Sequence, residues 1–227
     1  TEHKGMRFPL DRSTGANQAP NYVSGSVDRV DLTTGEITQV YHEFEGDHLC
    51  GPNDIVFDET GGFWFTDLGK QRPREIDKGA VYYAQPDGSS IQRWIDNIDH
   101  PNGCGLSPDG ETLYVAQTTT GRLWAYDLEE PGVLKSRRGR CIANTLGSLD
   151  SLAVEKDGSV VVAALPDGLL VVRPDESHEY VSIDGPLTTN VAFSRGGENI
   201  AYVTESGSGS LLALDWPRSG LELAFSA

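Results

Sequence analysis

Residues 103–117 read GCGLSPDGETLYVAQ, and their pattern points to one kind of architecture. A short apolar segment meets Asp109-Gly110, where glycine supplies the positive φ that a tight hairpin needs. A second segment of aromatic and β-branched residues then runs on through Tyr114 and Val115. The same plan recurs in DIVFDETGGFWFTDL (54–68), SLAVEKDGSVVVAAL (151–165) and VAFSRGGENIAYVTE (191–205). Their turns fall at Gly61-Gly62, Asp157-Gly158 and Gly196-Gly197. A third strand is expected at AVYYAQP (80–86), RLWAYDL (122–128), LLVVRPD (169–175) and SLLALDW (210–216). A more polar fourth follows at IQRWIDNI (91–98), GRCIANT (139–145) and EYVSIDG (179–185), with LELAF (221–225) the candidate in the last unit.

Residues 53–227 thus divide into four units of about 44 residues, the length of a four-stranded propeller blade. A β-sandwich also strings short strands between turns, but it does not usually repeat one strand pattern four times in phase. Upstream, SVDRVDL (26–32) and ITQVYHE (37–43), joined at Thr34-Gly35, read as two strands of one more blade. The expected organisation is a single all-β propeller domain over 1–227. Residues 1–23 form an irregular N-terminal segment, 24–45 a partial blade and 53–227 four blades. A propeller protects its sheet edges by closing, so this count leaves the ring short of N-terminal blades.

The chain has 18 Lys and Arg against 34 Asp and Glu, a formal charge of −16. Such a surface repels phosphate backbones and excludes nucleic acid as a partner, while it favours cations. No run approaches the ~18 apolar residues of a membrane helix, so a membrane is not expected as a partner either. Cys50, Cys104 and Cys141 are sparse and odd in number, which argues against a disulfide framework and for a reducing compartment. A cytoplasmic location is expected; the chain begins at Thr1, which leaves an N-terminal targeting segment open.

The positions that open each unit carry the chemistry. They are Pro52-Asn53-Asp54, Pro101-Asn102-Gly103, Leu149-Asp150-Ser151 and Thr189-Asn190-Val191. The first strand of a propeller blade lines the central channel, so Asn53, Asn102, Asp150 and Asn190 should converge at one mouth. Singly, each is more often a turn residue. Four in phase, three of them without the usual turn glycine behind, point to a site. Amide oxygens and a carboxylate suit a hard cation, Ca²⁺ first, with Zn²⁺, Mn²⁺ and Mg²⁺ open. A carboxylate there can also take a proton from water.

Other positions read more plainly. His100 could reach the channel, although a lone histidine is more often a hydrogen-bonding residue. Trp64, Trp94, Trp124 and Trp216 read as packing, Cys104 as a buried inert thiol and Glu129-Glu130 as a solvated loop. No G-x-S-x-G surrounds any serine, so Ser151 is not expected to be a nucleophile.

The runs GPNDIVFDETGGFWFTD (51–67), HPNGCGLSPDGETLYVAQTTTGRLWAYDL (100–128), DSLAVEKDG (150–158) and TNVAFSRGGENIAYVTESGSGSLLALDWP (189–217) resemble the gluconolactonase/regucalcin (senescence marker protein) family. The resemblance implies a six-bladed β-propeller, apparently lacking about its first blade and a half in this chain. It implies a calcium-dependent, lactonase-like activity on a small-molecule sugar lactone. Asn102 and Asp150 match the family's metal-binding asparagine and aspartate. Asn53 matches an asparagine near metal and substrate, and Asp150 the proposed general base. Asp54 and Ser151 neighbour them, and Asn190 and His100 are weaker candidates. The family's first-blade Glu-Gly-Pro motif has no counterpart here: Phe8-Pro9 is followed by Leu10-Asp11. The resemblance leaves open an organophosphate or aryl-ester hydrolase on similar oxygen-rich calcium sites, and a non-catalytic calcium- or protein-binding propeller.

Overall fold

The computed structural model describes residues 21–72, 74–195 and 198–225; the expected irregular segment up to residue 20 and the Gly196-Gly197 turn lie outside them. Every regular element among them is a strand. Among the described residues no helix is long and apolar enough to cross a membrane.

The chain opens with an antiparallel pair, β1 (Val27–Val30) and β2 (Ile37–Tyr41), then a small hairpin, β3 (Glu43–Phe44) and β4 (Asp47–His48). The first full sheet is β5 (Pro52–Phe57), β6 (Phe63–Asp67), β7 (Gly79–Ala84) and β8 (Ile91–Ile98), each antiparallel to the last. The second is β9 (Pro101–Leu106), β10 (Thr112–Gln117), β11 (Arg122–Glu130) and, after the short β12 (Val133–Leu134), β13 (Arg140–Asn144). The third is β14 (Ser148–Val154), β15 (Val160–Leu165), β16 (Gly168–Val172) and β17 (His178–Val181). The fourth has three strands, β18 (Thr188–Phe193), β19 (Ile200–Glu205) and β20 (Ser210–Asp215).

Each sheet is a meander whose turns follow the sequence signals. Gly61, Gly110 and Gly158 hold φ of 97°, 70° and 89° at the first turn of their sheets, and Gly35 holds 74° between β1 and β2. The sheets are stacked in chain order as blades, because alternate residues of one strand serve two different cores. Phe63 and Phe65 pack with Tyr41, Leu49 and Tyr82 on one side of β6, while Trp64 packs with Val81 and Leu113 on the other. On β15, Val160 and Val162 join Leu123 and Leu149, whereas Val161 joins Val191, Val203 and Trp216. Strands buried on both faces read as continuous apolar runs, which is why FWF and VVVAAL carry no polar alternation. Each large side chain taken from water contributes about 1.5–3 kcal/mol.

Two expectations need correction. Residues 221–225 are not a fourth outer strand. The segment instead lies along the innermost strand of the neighbouring blade: Leu221 N donates to Val154 O at 2.8 Å and Lys156 N to Ser219 O at 3.0 Å. Leu221 packs into the core beside β14, and Phe225 sets its ring perpendicular to Phe57, 6.0 Å between centroids. A buried clasp fixes the approach, since the Trp216 indole N–H and the Arg218 guanidinium both donate to the fully buried carboxylate of Glu155. The second correction is smaller. Glu129 and Glu130 are solvent-exposed but end β11 rather than occupy a loop.

Candidate functional site

The first strands of the four blades lie side by side in the order β5, β9, β14, β18. They border a cavity of about 1360 Å³ lined by Asp54, Cys104, Leu152 and Asn190, one from each strand. The entrance of β9 is pressed against β14: a Cβ on Gly103 would lie 2.7 Å from Leu152 N and 2.8 Å from Asp150 O. Only glycine allows that approach. Asn102 and Asp150 are therefore neighbours across two blades, although 48 residues separate them.

Asn102 is 5 % exposed and stands at the centre of the contacts. Its Nδ2 donates to Thr118 Oγ1 at 3.1 Å, and its side chain lies close enough to the Asp150 carboxylate to favour the ionised form. Its carbonyl accepts from Thr66 Oγ1 at 2.6 Å, and Thr66 Oγ1 in turn accepts from Asp54 N at 3.1 Å. Asp54 Oδ2 closes the set by accepting from Cys104 N at 3.1 Å. Thr66, fully buried, thus stitches β5 to β9 beside the site. Asp67 braces the approach to β5, accepting from Cys50 N at 2.8 Å and Gly69 N at 3.1 Å as well as from Gly51 N.

Asp54 lines the cavity and Asp150 does not, yet the two carboxylates lie close enough for their charges to interact. Burial pushes the Asp54 carboxyl up to about 6; amide N–H groups of Ile55 and Cys104 pull it down, and the charge of Asp150 adds to the rise. Burial likewise lifts Asp150 to about 6, against the hydrogen bonds from Asn102 and from the Ser151 amide. Asn102 Oδ1 is buried with no hydrogen-bond partner among the described residues. An orphaned amide oxygen beside two half-buried carboxylates is a set of hard donors short of positive charge, which fits a divalent cation. Among the described residues no group of three or more His, Cys, Asp or Glu could hold a metal, so amide oxygens have to complete such a site.

The remaining candidates differ in how near they come to this set. Asn53 is exposed, and none of the described hydrogen bonds reaches its side chain; the next residue, Asp54, makes the cross-blade contact instead. Asn190 is exposed on β18 and lines the cavity. Ser151 is buried and supplies a backbone donor to Asp150. His100 is buried with Nε2 unpartnered among the described residues, and burial lowers its pKa, which favours the neutral ring. Its backbone carbonyl accepts from Thr118 N at 3.0 Å. Cys104 is buried with its thiol pushed well above the usual value, an inert group. Trp64 and Trp216 are buried, and Trp94 and Trp124 pack half-buried against a core. Sequence reasoning missed Thr66 and Thr118. For Thr66 the available signal was a polar residue near the close of an otherwise apolar second strand, in FWFTD; Thr118, just past the end of β10, offered none.

Fold and site together define a β-propeller with an oxygen-rich channel mouth. The chain belongs to the SMP-30/gluconolactonase/LRE-like family, whose model matches residues 12–207. Lactonase drp35 of Staphylococcus haemolyticus is 37% identical over 123 residues, which is 53% of this chain and 37% of that protein. Lactonase drp35 of Staphylococcus saprophyticus is 34% identical over 152 residues, 66% of this chain and 46% of that protein. The matched part of this chain therefore spans less than half the length of these curated relatives. Among solved structures, a gluconolactonase of Xanthomonas campestris superposes with a TM-score of 0.69 at 28% identity, over 83% of this chain and 64% of that one. A calcium-binding regucalcin of Agrobacterium tumefaciens shares the fold, with a TM-score of 0.69 at 22% identity over 87% of this chain and 71% of that one.

Proposed function

We propose that this chain carries the catalytic mouth of a hydrolase that opens a sugar lactone. One observation carries the reading: the backbone beside Asn102 is packed directly on that of Asp150 from the next blade, while Asp54 of a third blade accepts from Cys104 N at 3.1 Å beside them. Relatives named as lactonases and a gluconolactonase support the substrate class. Asp150 is the general base, its carboxylate accepting the proton of the attacking water. The Asn102 side chain and the Ser151 amide beside that carboxylate favour its ionised form. Asp54, which lines the cavity, and the exposed Asn53 before it bind the substrate. Asn102 through Oδ1 and Asp150 are the residues that would hold a divalent cation, Ca²⁺ by its preference for an all-oxygen set, with the exposed Asn53 free to turn toward it. When bound, such an ion supplies Lewis-acid polarisation of the carbonyl.

The ring we infer has six blades, of which these residues contribute four and part of another. A cytoplasmic location fits three free cysteines. The test is Asp150→Asn, which keeps size and loses the base. Its kcat for gluconolactone opening should fall by about 10²-fold or more, with an unchanged circular dichroism spectrum. Turnover within about threefold of the parent would overturn the assignment.

A further inference from the structure

Asn102 presents its amide oxygen in one direction only if something holds the carboxamide from the other side. A carboxylate such as that of Asp150 is acceptor-only when ionised, so beside Asn102 it favours the amide nitrogen over the amide oxygen on its side. Thr118 Oγ1 takes the same nitrogen at 3.1 Å. The Thr118 backbone is itself fixed, because its N–H donates to His100 O at 3.0 Å at the entrance to β9. One hydrogen of Nδ2 is thereby engaged, and Oδ1 is buried with no hydrogen-bond partner among the described residues. A buried acceptor left unpaired costs about 1–3 kcal/mol unless something occupies it.

We propose that Thr118 is a positioning residue for cation binding. Its hydroxyl holds the Asn102 carboxamide so that Oδ1 stands free to ligate a hard divalent cation. This rests on the reading of the mouth as a cation site given above. Thr118 does not itself touch substrate or ion; it acts through Asn102 by removing the freedom of the amide to turn. Outer residues that orient ligands typically account for about 10–100-fold in metal affinity.

The experiment measures Ca²⁺ binding by calorimetry on the 227-residue chain. Thr118→Val keeps the shape and removes the hydroxyl, and Thr118→Ala is the second deletion should valine disturb the fold. Both should weaken Ca²⁺ binding about tenfold or more, measured at a temperature where each variant keeps the parent's circular dichroism spectrum in chelator. Thr118→Ser should restore affinity to within about threefold. In an Asn102→Ala background, Thr118→Val should add no further loss, since the two act as one unit. Binding by either deletion variant at parental affinity overturns the proposal, as does a serine variant as weak as valine or additive losses in the double variant. A parent that binds no Ca²⁺ overturns this proposal together with the cation reading beneath it. A parent that binds Ca²⁺ and turns over lactone, with Thr118→Val indistinguishable from it, overturns this proposal alone.

Discussion

Gly103 is the position where a single atom separates site from scaffold. The three atoms nearest a Cβ built there are all backbone, Leu152 N, Asp150 O and Ser151 C, none farther than 2.8 Å. Backbone cannot rotate aside, so Gly103→Ala has to part β9 from β14 between Asn102 and Asp150. The expected outcome is a loss of about 1–3 kcal/mol in urea unfolding, with a larger relative loss of lactone turnover. A variant unchanged in both would show that the two strands separate without cost. At this scale the sequence was readable where chemistry and phase coincide. Asn102-Gly103 reads equally well as a turn, yet both residues lie inside β9, and its repeat position rather than its dipeptide identified it. Asn53 and Asp54 mark the limit: phase selects the asparagine, while the strand geometry hands the cross-blade bond to the aspartate beside it. Thr118 was not legible, because its role depends on a partner 16 residues earlier that only strand register brings within reach.

Strands were the most legible elements, since each is an apolar run bounded by a turn residue with a stated conformational reason. What failed was LELAF, whose composition suits an outer strand but whose backbone follows the end of β14 instead. Strand propensity describes a segment that fits a pleated surface and does not say which edge is open to it. The β3–β4 hairpin and β12 were missed because two-residue strands leave no periodicity to read. The turn from β19 to β20 shows how one carboxylate organises a blade. Glu205, 1 % exposed, accepts from Leu187 N and Gly207 N at 3.0 Å and from Ser208 N at 2.6 Å, with the Ser208 hydroxyl on the same oxygen as the last. These donors lower its carboxyl from 4.5 to about 2. A carboxyl depressed in the folded state contributes stability that is present above its unfolded pKa and lost as pH falls through the folded one. Glu205→Gln should therefore melt below the parent at pH 7, and the gap should close between pH 4.5 and 2. A gap of constant size across that range would mean that the ionised form is not what holds the turn.

For the whole molecule, the blade plan and the acidic balance make one joint prediction. A net charge of −16 means self-repulsion, which any salt relieves by screening over a Debye length of about 10 Å at 0.1 M. Screening rises smoothly with ionic strength and depends little on any one side chain. A cation held at the channel mouth behaves differently, because ligand bound only to the folded state stabilises it in a saturable way. At a free Ca²⁺ concentration 100 times Kd the gain is about 2.7 kcal/mol, roughly 5–10 °C in Tm for a chain of this size. Asn102→Ala removes one oxygen and leaves the net charge unchanged, so it should keep the response to NaCl and lose the saturable response to CaCl₂ at matched ionic strength. The ring explains why one amide should matter so much: ligands from separate blades can share an ion only if the inner strands are locked side by side, and the ion in turn pins them there. Should CaCl₂ and NaCl raise the parent's Tm equally at matched ionic strength, the acidic surface alone accounts for the effect and the mouth holds no cation.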